Sequence, residues 1–342
     1  MRILYLSENM AAYAGAMYQR DVMEELAAQA DVVFHGPGFA GFDPREPVER
    51  VLRRVGGADL VLVGHAWLVD SPGTAVDPFP GLRLEDCPLP KAMILNKEYA
   101  NLDDKLAWIG RQGFALGFSH HHDTDAFAAR TGTPFLFWPF AFNDRLFGQG
   151  PAPAKDVDFA FCGLLQNLSR HSGQADTRVR VMRRLFHCLG DIPLAPRRAY
   201  SRYALRWNAI PRSRWQVRLA MLLGRYRRLP DEEYRDLQRR SRVYLNTLSP
   251  AGLVSPRIAE NMASRALVLC ESSPNYGRIF PEDCFVTFRP DLSDFDEVLG
   301  RHLADEGARR KVVDRAFEVA MTAHSWRRRV ADMLAALEGV AR

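Results

Sequence analysis

One stretch narrows the fold more than any other. Residues 242–271 read RVYLNTLSPAGLVSPRIAENMASRALVLCE. Residues 242–246 form a short apolar run with a β-branched and an aromatic residue, which suits a buried strand. Residues 246–255 carry Asn, Ser, Pro and Gly, which are loop formers. A helix start follows: Ser255 reads as its N-cap, Pro256 as its first residue, and Ile258 and Met262 share a face. Residues 266–270 return to a buried strand. In a parallel α/β sheet, a loop that leaves a strand's carboxyl end and opens a helix is where ligands bind. The unpaired N–H groups and the dipole at that helix start favour a phosphate. Arg257 adds a cation in the first turn, and Glu260 offers a carboxylate to sugar or ribose hydroxyls.

The rest of the chain repeats this pattern. In the first half, apolar runs at 2–6, 31–34, 58–64, 92–95, 114–118 and 134–138 alternate with helical segments. That is the pattern of a doubly wound parallel sheet. The loops after these strands carry Glu8, His65, Glu98 and the run His120, His121, His122, with Asp123 expected as a helix N-cap. The glycine pattern from Gly36 to Gly41 matches GxGxxG by letter. It follows the second strand, and Pro44 and Pro47 oppose an immediate helix, so it reads as a turn. A Gly/Pro/Ala-rich linker at 143–155 divides the chain into domains 1–150 and 151–342. In the second domain a strand at 157–161 precedes Gly163, and a helix is expected over 177–189.

Composition excludes several classes. No apolar run is long enough to span a membrane, and MRILYLSENM reads as a strand, not a signal peptide. The five cysteines are scattered without a CxxC pair, which argues against a disulfide framework or a zinc site and for a reducing cytoplasm. The net charge of +5 is unevenly spread. Residues 192–230 contain no Asp or Glu but ten arginines, from Arg197 to Arg228, interleaved with Tyr and Trp. Three readings fit: a solvated helical face with buried aromatics, a surface resting on anionic lipid, or a nucleic-acid contact. The last is weakest, because no recognition motif accompanies it.

The second half is more specific. EEYRDLQRRSRVYLN, a loop, and PRIAENMASRALVLCE together resemble the CgeB-like (spore maturation type) glycosyltransferases. The tail SWRRRVADML, through His324, Trp326 and Arg329, looks like that family's closing segment, and TGTPFLFWPFAFNDRLF resembles a segment of its first half. The resemblance implies a GT-B fold: two Rossmann-like domains facing a cleft. The donor domain would be 151–342, the acceptor domain 1–150, and the last helix (325–342) would pack back toward the latter. It also implies a nucleotide-sugar donor held by Gly163, Ser255, Arg257, Glu260 and Asn261, with Arg257 toward the phosphates and Glu260 toward the ribose. The expected acceptor is a glycan, a lipid-linked sugar or a protein, on a bacterial surface or protein-attached glycan.

Glycosyl transfer needs a stabilised diphosphate leaving group and a deprotonated acceptor hydroxyl. A helix start plus Arg257 suits the first task without a metal or other cofactor. No DxD stands where a cation would be needed, and Asp156-Val-Asp158 lies at the wrong end of its strand. Related retaining enzymes carry an acid eight positions before the ribose Glu, where this chain has Gly252, so inversion is expected. The base would come from the first half: Glu98, His120, His65 or Glu8. Adjacent histidines point in different directions, so His120–His122 are not expected to hold a metal. A GT-B nucleotide-sugar epimerase or hydrolase, and a non-catalytic nucleotide-binding partner, are the competing readings. The expected location is cytoplasmic, with peripheral contact at the inner membrane face through 192–230.

Overall fold

The computed structural model describes residues 1–12, 17–67, 76–151, 154–165, 177–189, 192–209, 219, 222 and 229–341. β1 (Arg2–Leu6) sends Ile3 and Tyr5 into one apolar layer and Leu4 and Leu6 into another. Both faces are covered, which is why the strand is an unbroken apolar run. α1 (Met17–Gln29), β2 (Asp31–His35), α2 (Val48–Arg54), β3 (Leu60–Val63), β4 (Lys91–Leu95), α3 (Leu102–Gln112), β5 (Leu116–Ser119), α4 (Thr124–Thr131) and β6 (Phe135–Phe137) follow. The sheet order is β2-β1-β3-β4-β5-β6, all parallel. The winding reverses between β1 and β3, which opens a crevice outside their carboxyl ends.

The chain divides into two units, Met1–Ala141 with Trp326–Arg342, and Phe142–Ser325. In the second, β7 (Val157–Leu165), α5 (Thr177–Leu185), the antiparallel pair β8 (Phe186–Leu189) and β9 (Ile192–Pro196), and β10 (Ala204–Ala209) come first. α6 (Asp231–Arg240), β11 (Ser241–Asn246), α7 (Arg257–Ala263), β12 (Leu267–Glu271), α8 (Pro274–Gly277), β13 (Val286–Phe288), α9 (Phe295–Ala304) and α10 (Glu306–Ala323) complete it. Its sheet runs β10-β7-β11-β12-β13, again all parallel, with the reversal between β7 and β11. Phe159, Phe161, Val243, Leu245 and Leu269 pack on one face, and Val268 and Cys270 meet Ile258 and Met262 on the other. The last helix, α11 (Trp326–Ala341), buries Trp326, Val330, Met333 and Leu337 against Val22, Leu26 and Trp138 of the first unit.

Several local expectations change. The helix expected over 177–189 stops at Leu185. Phe186 and Ile192 are buried in the unit, and Pro193 and Pro196 cannot continue a helix, so the chain folds back as β8–β9. The start of the basic segment is therefore β-structure and a turn, with β10 as a parallel edge strand beside β7. Residues 210–218, 220, 221 and 223–228 of that segment lie outside the described residues. Asp123 stands at the N-cap of α4 but makes no capping bond, because its carboxylate faces His121 Nδ1 (3.5 Å) and His122 Nε2 (3.3 Å). Helix α7 begins one residue later than expected, with Pro256 at its N-cap and no side-chain cap from Ser255.

Candidate functional site

Two polar clusters occupy the carboxyl ends of the two sheets, and each is described within its own unit. In the first unit, β3 delivers His65, β4 delivers Asn96 and Glu98, and β5 delivers Ser119 and His120. The loop after β3 is fixed by Asn96, whose Oδ1 accepts from Trp67 N–H (3.3 Å) and whose Nδ2 donates to Trp67 O (2.9 Å). Lys105 ties down the loop after β4 by donating to the carbonyls of Asn96 (3.1 Å) and Lys97 (3.0 Å).

The histidines His65 and His120 meet through their Nε2 atoms at 3.1 Å. Their rings stack at 9°, beside Tyr18, Phe140 and Trp138. Burial drives both down in pKa: His120 to about 4, opposed by its bond to Trp138, and His65 well below its ordinary value, helped by His120. Both rings are neutral at pH 7, and that fixes the protons. The carbonyl of Trp138 can only accept, so His120 Nδ1–H donates to it at 2.8 Å. His120 Nε2 then holds a lone pair and accepts from His65 Nε2–H. What is left is a lone pair on His65 Nδ1, buried and without a partner among the described residues.

Glu98 secures this arrangement. Its Oε1 accepts from Ser119 Oγ–H (2.9 Å), His120 N–H (3.0 Å) and His121 N–H (3.3 Å). Burial pushes its pKa up against those bonds, and Oε2 has no partner among the described residues. Of the four base candidates, His65, Glu98 and His120 thus come together. His121 and His122 do not diverge as expected. Their rings stack at 4.4 Å, and with Asp123 they bring three ligand atoms within 4.8 Å, a grouping able to hold an ion. His121 Nδ1 already accepts from the Asp123 N–H at 3.1 Å.

In the second unit the cluster lies at the sheet's reversal point. Gly163 is near the carboxyl end of β7, and Arg257 opens α7 after β11. A Cβ on Gly163 would stand 2.6 Å from the Phe161 ring and 3.2 Å from Arg257 Nη2, so only glycine leaves room there. The Arg257 guanidinium lies over Phe161, 5.6 Å from the ring centroid. Its Nε and Nη1 are buried and no described residue accepts from them. The nearby Glu260 charge favours the cation, but buried N–H groups without an acceptor are costly unless a ligand completes them.

Arg257, Glu260 and Asn261 fall at i, i+3 and i+4 on one stripe of α7, with the C-cap Ser264 at i+7, opposite Ile258 and Met262. Asn261 is fully buried, and neither its side-chain amide atoms nor the buried Ser255 Oγ has a partner among the described residues. Glu260 Oε2 accepts from Tyr234 Oη–H (2.6 Å) and Gln238 Nε2–H (3.2 Å), both on α6. The sequence reading missed Tyr234 and Gln238, although their i, i+4 spacing marks them as one helix face. With only seven residues α7 is too short to carry a phosphate by its dipole, so the Arg257 side chain must do more than the sequence suggested. Gly252 has φ +75° and its O accepts from Asn275 Nδ2 at 2.9 Å, which leaves no room for an acid there. Asp156 and Asp158 are bound by Arg240 and Arg242, each at 2.8 Å, far from this cluster along β7.

Residues 170–335 match the model of a glycosyl transferase-like family. The fold is the GT-B fold of two Rossmann-like units. No curated protein matches the chain in sequence. Among solved structures, sucrose-phosphate synthase of Thermosynechococcus elongatus is similar over 99% of this chain and 98% of its own, at 13% identity and a TM-score of 0.63. HepE of Anabaena, solved with UDP and glucose, is similar over 99% and 100%, at 11% identity and a TM-score of 0.63. AviGT4, a glycosyltransferase involved in avilamycin A biosynthesis, is similar over 100% and 98%, at 14% identity and a TM-score of 0.54. No described helix is long and apolar enough to cross a membrane.

Proposed function

We propose that the chain transfers a sugar from a nucleotide-sugar to a glycan, lipid-linked or protein acceptor, as a glycosyltransferase of the CgeB-like type. The observation that carries this is the Arg257 guanidinium, whose buried Nε and Nη1 have no partner among the described residues, against a glycine at the β7/β11 reversal. A diphosphate there would accept from those N–H groups in charge-assisted bonds and take up the leaving group's charge without a metal. Glu260 would accept from the ribose, and Ser255 and Asn261 would meet the donor with side-chain atoms that have no partner among the described residues. HepE binds UDP, which makes a nucleotide donor the natural reading of the same fold.

The first unit supplies the base. His65 Nδ1 takes the proton of the acceptor hydroxyl. His120 holds the His65 ring in the right tautomer, and Glu98 holds His120. Attack by that hydroxyl on the anomeric carbon, opposite the leaving diphosphate, inverts the centre. The filled turn at Gly252 leaves no carboxylate eight residues before Glu260 for the retaining alternative. The chain works in the cytoplasm at the inner membrane face. Leu189 and Leu194 are exposed on the β8–β9 pair and exposed Arg197 and Arg198 follow β9, so this part of the unit offers both apolar side chains and cations to an anionic lipid surface.

The test is a screen of nucleotide-sugars for donor hydrolysis and transfer. A single preferred donor is expected. His65→Gln should lower turnover about a hundredfold or more while leaving donor binding within about twofold, the range seen for general bases. Full turnover in His65→Gln would remove the base assignment. No turnover and no binding with any nucleotide-sugar would remove the function.

A further inference from the structure

Glu260 does not stand alone. It is 8% exposed, and its Oε2 is already gripped by two donors from the neighbouring helix α6, Tyr234 Oη at 2.6 Å and Gln238 Nε2 at 3.2 Å. Tyr234 and Gln238 are one turn apart, so a single helix face presents both. The Tyr234 bond is short, as expected when a phenol donates to an ionised carboxylate. Burial, then the Glu260 charge, raise the Tyr234 pKa well above its ordinary value, so its proton stays on the phenol throughout the working range. Gln238 is fully buried, and its Oε1 has no partner among the described residues, so its amide is ordered by the Nε2 bond to Glu260.

We infer that Tyr234, assisted by Gln238, is a positioning residue that sets discrimination between ribose and deoxyribose in the donor nucleotide. The inference rests on the donor reading above and deepens it. A carboxylate recognises a vicinal diol through its O–H donors only if its plane and rotamer are held. Donors on Oε2 fix the plane, because the phenol and the amide bind one oxygen from two directions on α6. Loss of the phenol hydroxyl would let the Glu260 carboxylate rotate, and would weaken most the contact that depends on its direction. That contact is to the hydroxyls. The diphosphate is bound by Arg257, one turn away on the same stripe, and Tyr234→Phe removes a hydroxyl and no charge, so that contact should change less than the one to the hydroxyls.

Calorimetric titrations of UDP and 2′-deoxy-UDP, and of GDP and 2′-deoxy-GDP, into wild type, Tyr234→Phe and Glu260→Gln test this. Wild type should favour the ribonucleotide by about tenfold or more, the scale of one hydrogen bond to a charged group. Tyr234→Phe keeps the ring and its packing, and should cut that preference about fivefold while changing the deoxynucleotide affinity by less than about twofold. A structural role alone would weaken both nucleotides together and leave their ratio unmoved. That result overturns the inference. An unchanged ratio in Tyr234→Phe with an abolished ratio in Glu260→Gln overturns it as well, because Glu260 then acts without its partner. If wild type binds none of the four nucleotides, the donor reading itself falls. Should Tyr234→Phe fail to fold, Gln238→Leu carries the same comparison, with a smaller expected loss of preference.

Discussion

Acid should loosen the first unit through His120, and the size of the effect follows from the structure. In the folded chain its pKa is lowered to about 4, against 6.5 for an unperturbed imidazole. The sign is set by linkage. Between those values the unfolded chain holds a proton that the folded chain refuses, so stability is fully present above pH 6.5 and is lost as pH falls toward 4. For that shift the loss is about 2 kcal/mol at pH 5 and about 3 kcal/mol at pH 4. His65, also held down by burial and by His120, adds in the same direction. Glu98, raised by burial, opposes it, because its protonated form is the one the fold prefers. Urea unfolding at pH 7, 6, 5 and 4, followed by tryptophan fluorescence, measures the sum. Trp138 lies 5.4 Å from the His120 ring and reports locally. The difference between wild type and His120→Phe removes the carboxylates common to both. That difference should move by about 2 kcal/mol between pH 7 and pH 5. Parallel stability curves for the two proteins would refute the neutral pair, and with it the tautomer chain that leaves His65 Nδ1 as the base.

Two further outcomes follow. Gly163→Val should weaken nucleotide binding about tenfold or more, because its side chain would displace Phe161 and Arg257, and should lower stability by about 1–3 kcal/mol; titration calorimetry and thermal melts read the two effects. Sedimentation with phosphatidylglycerol vesicles should capture the protein at low salt and release it at high salt, and Leu189→Ser with Leu194→Ser should weaken capture; binding that ignores lipid charge and salt would dismiss the membrane contact.

Much of the layout was legible because strand–helix alternation is a local signal. Apolar runs such as residues 58–64 mark buried strands, and a residue just past such a run must emerge at the carboxyl edge. That logic alone selected His65, Glu98 and His120. It could not show that His65 and His120 touch, since 55 residues separate them and only the sheet order makes β3 and β5 deliver them to one place. Tyr234 escaped for the same reason, as its bond to Glu260 crosses between two helices. The β8–β9 hairpin escaped for a different one. Residues 177–189 have helical composition, and tertiary burial of Phe186 overrode it. Ser255 was misread as a cap because the Ser-Pro pair is a common helix opening, and here the helix starts after it.

The central claim is that a diphosphate completes Arg257. Titration calorimetry of nucleoside diphosphates into wild type and Arg257→Ala, with the fold checked by circular dichroism, tests it most directly. Loss of the charge-assisted bonds should weaken binding by about 2–3 kcal/mol, some thirty- to hundredfold, with the protein still folded. Binding of equal strength to both proteins would contradict the account.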